Sequence, residues 1–226
     1  MKISYWGIGV CHLCGEKGHI FIDSPEKGNW YKCSNCESYF QSEVNPIFNF
    51  EERESKDKWN ERLVSSHYIS QAKKIIALLN EGKSIIDVGC GTGWLTELIG
   101  QYGTYDRIVG TDLPNRNILI EHPKVEIRNE DFEIDGIPND LAGRFDYVIN
   151  YDVIEHVKYP TKWFDMMKKL LKENGKIYGT FAQPREIEPK LIHEWRLPTV
   201  KGMECIIKGF KKSDISSLFG RFILEF

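Results

Sequence analysis

The chain has 226 residues, of which 41% are hydrophobic and 28% charged, and its formal net charge is −3. That length holds one full domain plus a small module, and the composition is that of a soluble globular protein. There is no basic excess for wholesale nucleic-acid binding, no apolar run near the ~20 residues of a membrane span, and no signal-peptide core in residues 1–10, so the expected compartment is the cytoplasm.

The first feature along the chain is a pair of cysteine motifs, Cys11-x-x-Cys14 and Cys33-x-x-Cys36, separated by residues 15–32. This spacing suits a closed structural zinc site made of four thiolates. Two disulfides or four free thiols are the alternatives, and disulfides rarely persist in the cytoplasm. Gly15 and Gly18 follow the first pair, and His12, within it, and His19, just after it, are placed to support the site or, less readily, to serve as ligands. Ile20-Phe21-Ile22 and Asn29-Trp30-Tyr31-Lys32 read as short strands around a Pro25/Gly28 turn, and Tyr39-Phe40 continues past the second pair. Residues 1–45 are therefore expected to form a zinc ribbon, with the metal supplying much of its folding free energy. The remaining cysteines, Cys90 and Cys205, read as small buried residues.

Residues 46–66 are heavily charged and read as a linker or helix, with Trp59 and Leu63 placed to dock it. Residues 67–226 form the main domain. It opens with an amphipathic helix over 67–79, with Ile69, Ala72, Ile75, Ile76 and Leu79 at helical spacing. The stretch Ile85-Ile86-Asp87-Val88-Gly89-Cys90-Gly91-Thr92-Gly93 then predicts a buried parallel strand, a tight glycine turn and the start of a helix at Trp94. A dinucleotide fingerprint would place its third glycine at 94, where this chain has Trp. Asp87 would repel a pyrophosphate and attract an ammonium, a difference of several kcal/mol at ~4 Å and an effective dielectric of ~20.

A second strand, Arg107-Ile108-Val109-Gly110-Thr111, ends in Asp112, which stands about 20 residues past the glycines, where an acid accepts ribose hydroxyls. Leu113 follows, placed to pack beneath a base. Strands are also expected at 124–128, 145–150 and 176–181, with a helix through Trp163, Phe164, Met167, Leu170 and Leu171 that ends at Asn174-Gly175. In the tail, 214–219 reads as a helix, 221–225 as a strand, and 204–210 is the candidate for a further antiparallel strand. The alternation predicts an α/β, Rossmann-like three-layer sandwich with a mostly parallel sheet.

The glycine stretch resembles motif I of the class I S-adenosylmethionine-dependent methyltransferases, and the likeness runs from about Tyr68 to Phe181. It implies S-adenosylmethionine as cofactor, held by Asp87, Gly89, Cys90, Gly91, Gly93, Asp112, Leu113, Asp131, Phe132 and Tyr151. In the resemblance Asp131 accepts from the adenine amine and Phe132 lies beside the ring. Asp152-x-x-Glu155-His156 is similar to the E-x-x-E-H stretch of the ubiquinone-biosynthesis O-methyltransferases and of the small-RNA 3′-terminal 2′-O-methyltransferases, with Asp replacing the first Glu. In some of those enzymes the acids and histidine bind a divalent ion with a downstream histidine, for which His193 is the candidate. If 152–157 begin a helix, Asp152, Glu155 and His156 share a face, and Mg²⁺ or another divalent ion there would acidify a bound hydroxyl. Metal-free members use the same residues as a structural pair and cap, leaving His156 or His193 as base with Asp152 nearby.

The chain has neither the N-P-P-[YF] pattern of N-methylation nor the Pro-Cys nucleophile of pyrimidine chemistry. The resemblance thus implies O-methylation of a small-molecule or sugar-type acceptor. One alternative is an RNA methyltransferase whose ribbon holds RNA, which the acidic balance disfavours. Another is a non-catalytic cofactor-binding or scaffolding protein. The stretch after the fifth strand is short for the family, so the acceptor pocket is expected to be open, built from the ribbon, or completed by another chain.

Overall fold

The computed structural model describes residues 9–22, 29–41, 55–182, 196–207, 210–216 and 221–225. In chain order the elements are β1 (Gly18–Ile22), β2 (Trp30–Cys33), β3 (Tyr39–Gln41), α1 (Lys56–Val64), α2 (Ser66–Ile76), β4 (Ser84–Val88), α3 (Trp94–Tyr102), β5 (Arg107–Asp112), β6 (Val125–Asn129) and β7 (Phe145–Asn150). They continue with α4 (Pro160–Leu170), β8 (Leu171–Thr180), β9 (Arg196–Leu197), α5 (Val200–Ile206), β10 (Lys212–Ser216) and β11 (Arg221–Glu225). The chain divides into two compact units. One comprises Met1–Glu51, Asp152–Asp165 and Gly179–Leu224, and the other Glu52–Tyr151, Met166–Tyr178 and Glu225–Phe226.

The second unit carries the parallel sheet. Its strands lie in the order β8-β7-β4-β5-β6. β4 pairs in parallel with β5 and with β7, and β5 in parallel with β6. All five residues of β4 are buried, as are Ile108 and Val109 of β5 and Tyr147, Val148 and Ile149 of β7. Strands covered on both faces lose the polar alternation of a half-exposed sheet, which is why they read as apolar runs. Ser84 is tolerated inside because its hydroxyl lies 2.9 Å from the Arg144 carbonyl and 2.7 Å from Asp146 Oδ2, both acceptors for its proton. Residues 94–100 of α3 are buried throughout. Within the charged segment, residues 56–64 form α1, capped by Ser55, with Trp59 buried; the helix packs on α2 and α3, and 46–54 lie outside the described residues.

The first unit holds a four-stranded antiparallel sheet in the order β1-β2-β3-β9. Three strands come from the ribbon, at the places expected. The fourth comes from residues 196–197, opposite Tyr39 and Phe40, so the ribbon's sheet extends beyond residues 1–45. β10 lies beside β11 in the same unit, and Phe164, Phe181, Phe210 and Phe222 pack ring against ring.

Three expectations for the later chain are corrected. The strand expected over 204–210 is not found at 204–206: Thr199 caps α5 by accepting the Gly202 N–H, the helix takes residues 200–206, and 208–209 lie outside the described residues. The helix expected over 214–219 is not found at 214–216, which belong to β10, and 217–219 lie outside the described residues. The strand expected at 176–181 starts at Leu171 rather than Lys176 and takes in Asn174, which has φ 62°. The final strand, Arg221–Glu225, stands as expected.

Candidate functional site

The glycine turn is assembled within the second unit from the ends of two adjacent parallel strands. β4 delivers Asp87 to its carboxyl end, where the side chain is buried. Oδ2 accepts the Thr96 hydroxyl at 2.5 Å, and Oδ1 is buried with no hydrogen-bond partner among the described residues. Burial pushes the Asp87 carboxyl up to about 7, against the pull of the Thr96 bond and aided by the charge of Asp112. Next door, the carbonyl of Thr111 accepts the N–H groups of Gly89 and Cys90 at 2.8 and 3.0 Å. Asp112 closes the turn: Oδ2 accepts the Gly91 N–H at 2.6 Å and Oδ1 the Leu113 N–H at 2.7 Å. Arg116 Nε stands 3.8 Å from Oδ1. Burial raises this carboxyl too, opposed by those backbone bonds and the Arg116 charge. A carboxylate oxygen has two lone-pair directions, so each keeps capacity for a ligand hydroxyl.

A second layer lies on the turn. Gly93 has φ 90°, and a Cβ there would collide with Ile120. Leu119 donates its N–H to the Thr92 carbonyl at 2.9 Å. Glu97, buried in α3, accepts the N–H groups of Glu121 and His122 at 2.9 Å each through Oε2, and Gln101 Nε2 through Oε1. The stretch 118–122 is thereby anchored across the start of α3. The ring of Trp94 stands edge-on between Tyr68 and Tyr151, at centroid distances of 4.8 and 5.7 Å. Of the expected site residues, Leu113 is half-buried and Phe132 buried. Asp131 spends Oδ1 on an Asx turn, accepting the Glu133 and Ile134 N–H groups.

Sequence reasoning missed Thr96, Glu97, Trp94, Tyr68 and Ile120. The available signal was polar: a threonine and a glutamate on the first turns of a helix whose other neighbours are apolar.

In the first unit, residues 152–157 form a turn, not the helix expected. Asp152 has φ 52°, and α4 begins only at Pro160, whose missing N–H suits a helix's first position. Asp152 and Thr180 bond reciprocally: the Asp152 N–H donates to Thr180 Oγ1 at 2.9 Å, and the Thr180 hydroxyl donates to Asp152 Oδ1 at 2.6 Å. Burial raises the Asp152 carboxyl, opposed by the Thr180 bond. Glu155 is buried, with Oε1 accepting the Ala182 N–H at 3.2 Å. His156 is half-buried, and its backbone N–H donates to the Val153 carbonyl at 2.8 Å. His193 lies outside the described residues.

Among the described residues, the four cysteines alone gather closely enough to share one ion, with all four sulfurs within 4.8 Å of one another. Cys11 and Cys36 Sγ lie 3.6 Å apart, and Cys14 and Cys33 Sγ 3.4 Å. These separations exceed a disulfide bond of ~2.05 Å and fall near the ~3.8 Å edge of a tetrahedron with Zn–S bonds of ~2.3 Å. The backbone N–H groups of Asn35 and Cys36 point at Cys33 Sγ, both at 3.4 Å. The Cys36 thiol is drawn down to about 5, chiefly by its hydrogen bond with Cys11, whose own proton is correspondingly held tighter. Beside the first knuckle, His12 is held well below its ordinary range by burial and then by the charge of Arg196.

Comparison with known proteins adds an independent line. A family model described as a methyltransferase domain matches residues 57–222. The mitochondrial ubiquinone biosynthesis O-methyltransferase of Dictyostelium discoideum is 35% identical over 123 residues, covering 47% of this chain and 37% of that protein. The ubiquinone biosynthesis O-methyltransferase of Nitrosococcus oceani is 32% identical over 102 residues, 43% of this chain and 42% of the relative. The chain thus spans less than half the length of these two relatives. Among solved structures, a SAM-dependent methyltransferase from Aquifex aeolicus superposes with a TM-score of 0.55 at 16% identity, covering 75% of this chain and 96% of that one. Haemonchus contortus phosphoethanolamine N-methyltransferase 2, in complex with phosphomonomethylethanolamine and S-adenosylhomocysteine, does so with a TM-score of 0.56 at 19% identity, covering 67% and 39%. At these identities the structural likeness is one of fold.

Proposed function

The chain belongs to the methyltransferase-domain family whose model spans residues 57–222, and from that membership we propose that it transfers a methyl group from S-adenosylmethionine to a hydroxyl of a small-molecule or sugar-type acceptor. The observation that carries the reading is the pair of acids at the ends of β4 and β5. Asp112 holds Gly91 and keeps acceptor capacity for ribose hydroxyls, while Asp87 presents a buried carboxylate oxygen in a turn without a phosphate-binding pattern. A ligand with an ammonium, a sulfonium and a ribose fits those charges better than a pyrophosphate does.

The reaction is an in-line displacement. The acceptor oxygen attacks the methyl carbon, the carbon–sulfur bond breaks with its electron pair passing to sulfur, and the hydroxyl proton leaves to a base. The chain's part is to align the reactants and take that proton. We assign the base to His156 or His193. The metal-free version is favoured, because among the described residues Asp152, Glu155 and His156 do not gather as one ligand group.

Zinc is the ion we assign to Cys11, Cys14, Cys33 and Cys36, on the tetrahedral spacing of their sulfurs. Thiols held apart from disulfide geometry support a reducing compartment, the cytoplasm. Among the described residues, no helix is long and apolar enough to cross a membrane.

Calorimetric titration with S-adenosylmethionine, followed by a product-detected screen of hydroxylated acceptors, tests the reading. Binding of NADH in place of S-adenosylmethionine overturns it.

A further inference from the structure

Arg196 is fully buried and joins three parts of the first unit. Its backbone lies in β9, opposite Phe40 of the ribbon strand β3. Its guanidinium reaches in two directions. Nε donates to Nδ1 of His12, the residue after Cys11, at 3.3 Å. Nη1 donates to the carbonyl of Ile154, the residue before Glu155, at 2.6 Å. Three residues further on, Thr199 grips the second knuckle. Its hydroxyl donates to the Cys36 carbonyl at 2.5 Å, and its N–H donates to Ser38 Oγ at 3.0 Å. Lys201 Nζ adds a bond to the Asn35 carbonyl at 2.6 Å. One short segment, 196–201, therefore touches both cysteine pairs and the turn that carries Glu155 and His156.

A guanidinium is a rigid planar fork that stays charged. Buried in full, it is tolerated only while its donors are met, because an uncompensated buried charge is costly. The His12 ring and the Ile154 carbonyl, both accepting from the one guanidinium, must therefore stay in register with each other. One of them, His12, sits between Cys11 and Cys14, so its place is fixed when the thiolates close on an ion. The other, the Ile154 carbonyl, is in a turn held otherwise by Asp152–Thr180 and Glu155–Ala182. Movement of the first knuckle is thus carried to the turn through one side chain.

We propose that Arg196 is a positioning residue through which filling of the cysteine site fixes the turn bearing Glu155 and His156. The inference rests on the zinc assignment above. What the fixed turn is for rests on the methyl-transfer reading.

The test is hydrogen–deuterium exchange on the intact chain, with zinc bound and after its removal under reducing conditions. Zinc loss in the parent is expected to speed exchange of the amides in 153–157 by about tenfold or more, while the glycine turn at 85–96 exchanges as before. In Arg196→Met, elemental analysis should still find one zinc per chain and the 29–41 amides should stay protected, yet 153–157 should exchange fast with or without the metal. A purely structural role for Arg196 predicts loosening of the ribbon as well. Arg196→Lys, which keeps the charge but not the fork, is the second variant should the first fail to fold, and it should show the same selective loss.

A parent that holds no zinc overturns the proposal. So does a parent whose turn is unmoved by zinc removal, or a folded variant whose turn still responds to zinc. S-adenosylmethionine titration of the same samples judges the methyl-transfer reading separately, since its failure leaves the exchange result standing.

Discussion

Asp112 holds Gly91: a carboxylate oxygen at the end of β5 takes the backbone N–H in the middle of the glycine turn at 2.6 Å. The same carboxylate takes the Leu113 N–H through its other oxygen, so one side chain sets the shape of the turn and presents acceptor capacity above it. Asp112→Ala removes both functions. Affinity for S-adenosylmethionine should fall by roughly 2 kcal/mol or more, the range for charge-assisted hydrogen bonds. Calorimetry on the folded variant checks it, and an unchanged dissociation constant would remove Asp112 from the binding site.

Asp87 gives a prediction with a sign in pH. Burial raises its carboxyl from 3.8 to about 7. The folded chain therefore binds this proton over a pH range in which the unfolded chain has released it. The raised value adds stability below that range and loses it as pH rises toward about 7. Asp87→Asn mimics the protonated form. It should raise the melting temperature of the ligand-free chain most at pH 8, by less at pH 5, and leave it nearly unchanged only near or below pH 3.8. Binding should go the other way, because an ammonium favours the ionised carboxylate. Affinity for S-adenosylmethionine should fall as pH drops from about 7.5 to 6, with that acid limb missing in Asp87→Asn. Above about 8 both should weaken as the ligand's own α-amino group deprotonates. Titrations at pH 6, 7.5 and 9 separate these limbs.

The strands and glycine turn were legible because burial on both faces of a parallel sheet leaves apolar runs, and because a turn pressed against Ile120 demands glycine at 93. Asp112 was legible from its distance past the glycines. What escaped reading was set by partners remote in sequence. β9 is two residues long, too short for any periodicity, and exists because Tyr39 and Phe40 offer an edge. α5 was hidden under an apolar run, although Thr199 followed at i+3 by Gly202 was a cap signal that could have been read. The 152–157 turn has helical spacing of its acids, but Asp152 and Thr180 bond each other and the chain turns left-handed there. Glu97 was invisible as an anchor because its partners are backbone N–H groups of a loop.

The cysteine site should hold one zinc per chain by elemental analysis. Cys33→Ser should lose it, since Cys33 Sγ lies 3.4 Å from Cys14 Sγ and receives two backbone N–H groups. Binding to such sites is folding free energy, on the order of 10 kcal/mol in isolated zinc-finger peptides. Because β3 pairs with β9 and Cys36 is held by Thr199, the loss should spread beyond the ribbon. Exchange protection should fall at 196–207 together with 29–41. A Cys33→Ser chain that keeps its zinc, or a metal-free chain with 196–207 still protected, would contradict this.

The proton acceptor divides the two chemical versions. If a divalent ion served the reaction, Asp152, Glu155, His156 and His193 would have to place ligand atoms within ~2–2.6 Å of one centre. Among the described residues Asp152, Glu155 and His156 do not gather as one ligand group, and one oxygen of each carboxylate is held within the fold, by Thr180 and by the Ala182 N–H, so an ion would have to draw these side chains together. A histidine base needs no such rearrangement, and an ordinary imidazole titrates close to neutral pH. With an acceptor in hand from the product screen, His156→Ala or His193→Ala, whichever is the base, should lower kcat by about 10²–10⁴-fold, the span for general-base removal. Affinity for S-adenosylmethionine should stay as in the parent. The acid limb of the kcat–pH profile should flatten in the same variant, because protonation of the base is what that limb reports. Adding Mg²⁺ should change nothing. If Mg²⁺ restores activity after mild chelation that leaves the cysteine-bound zinc in place, the divalent-ion version is correct. If both alanine variants turn over at the parent's rate, neither histidine takes the proton.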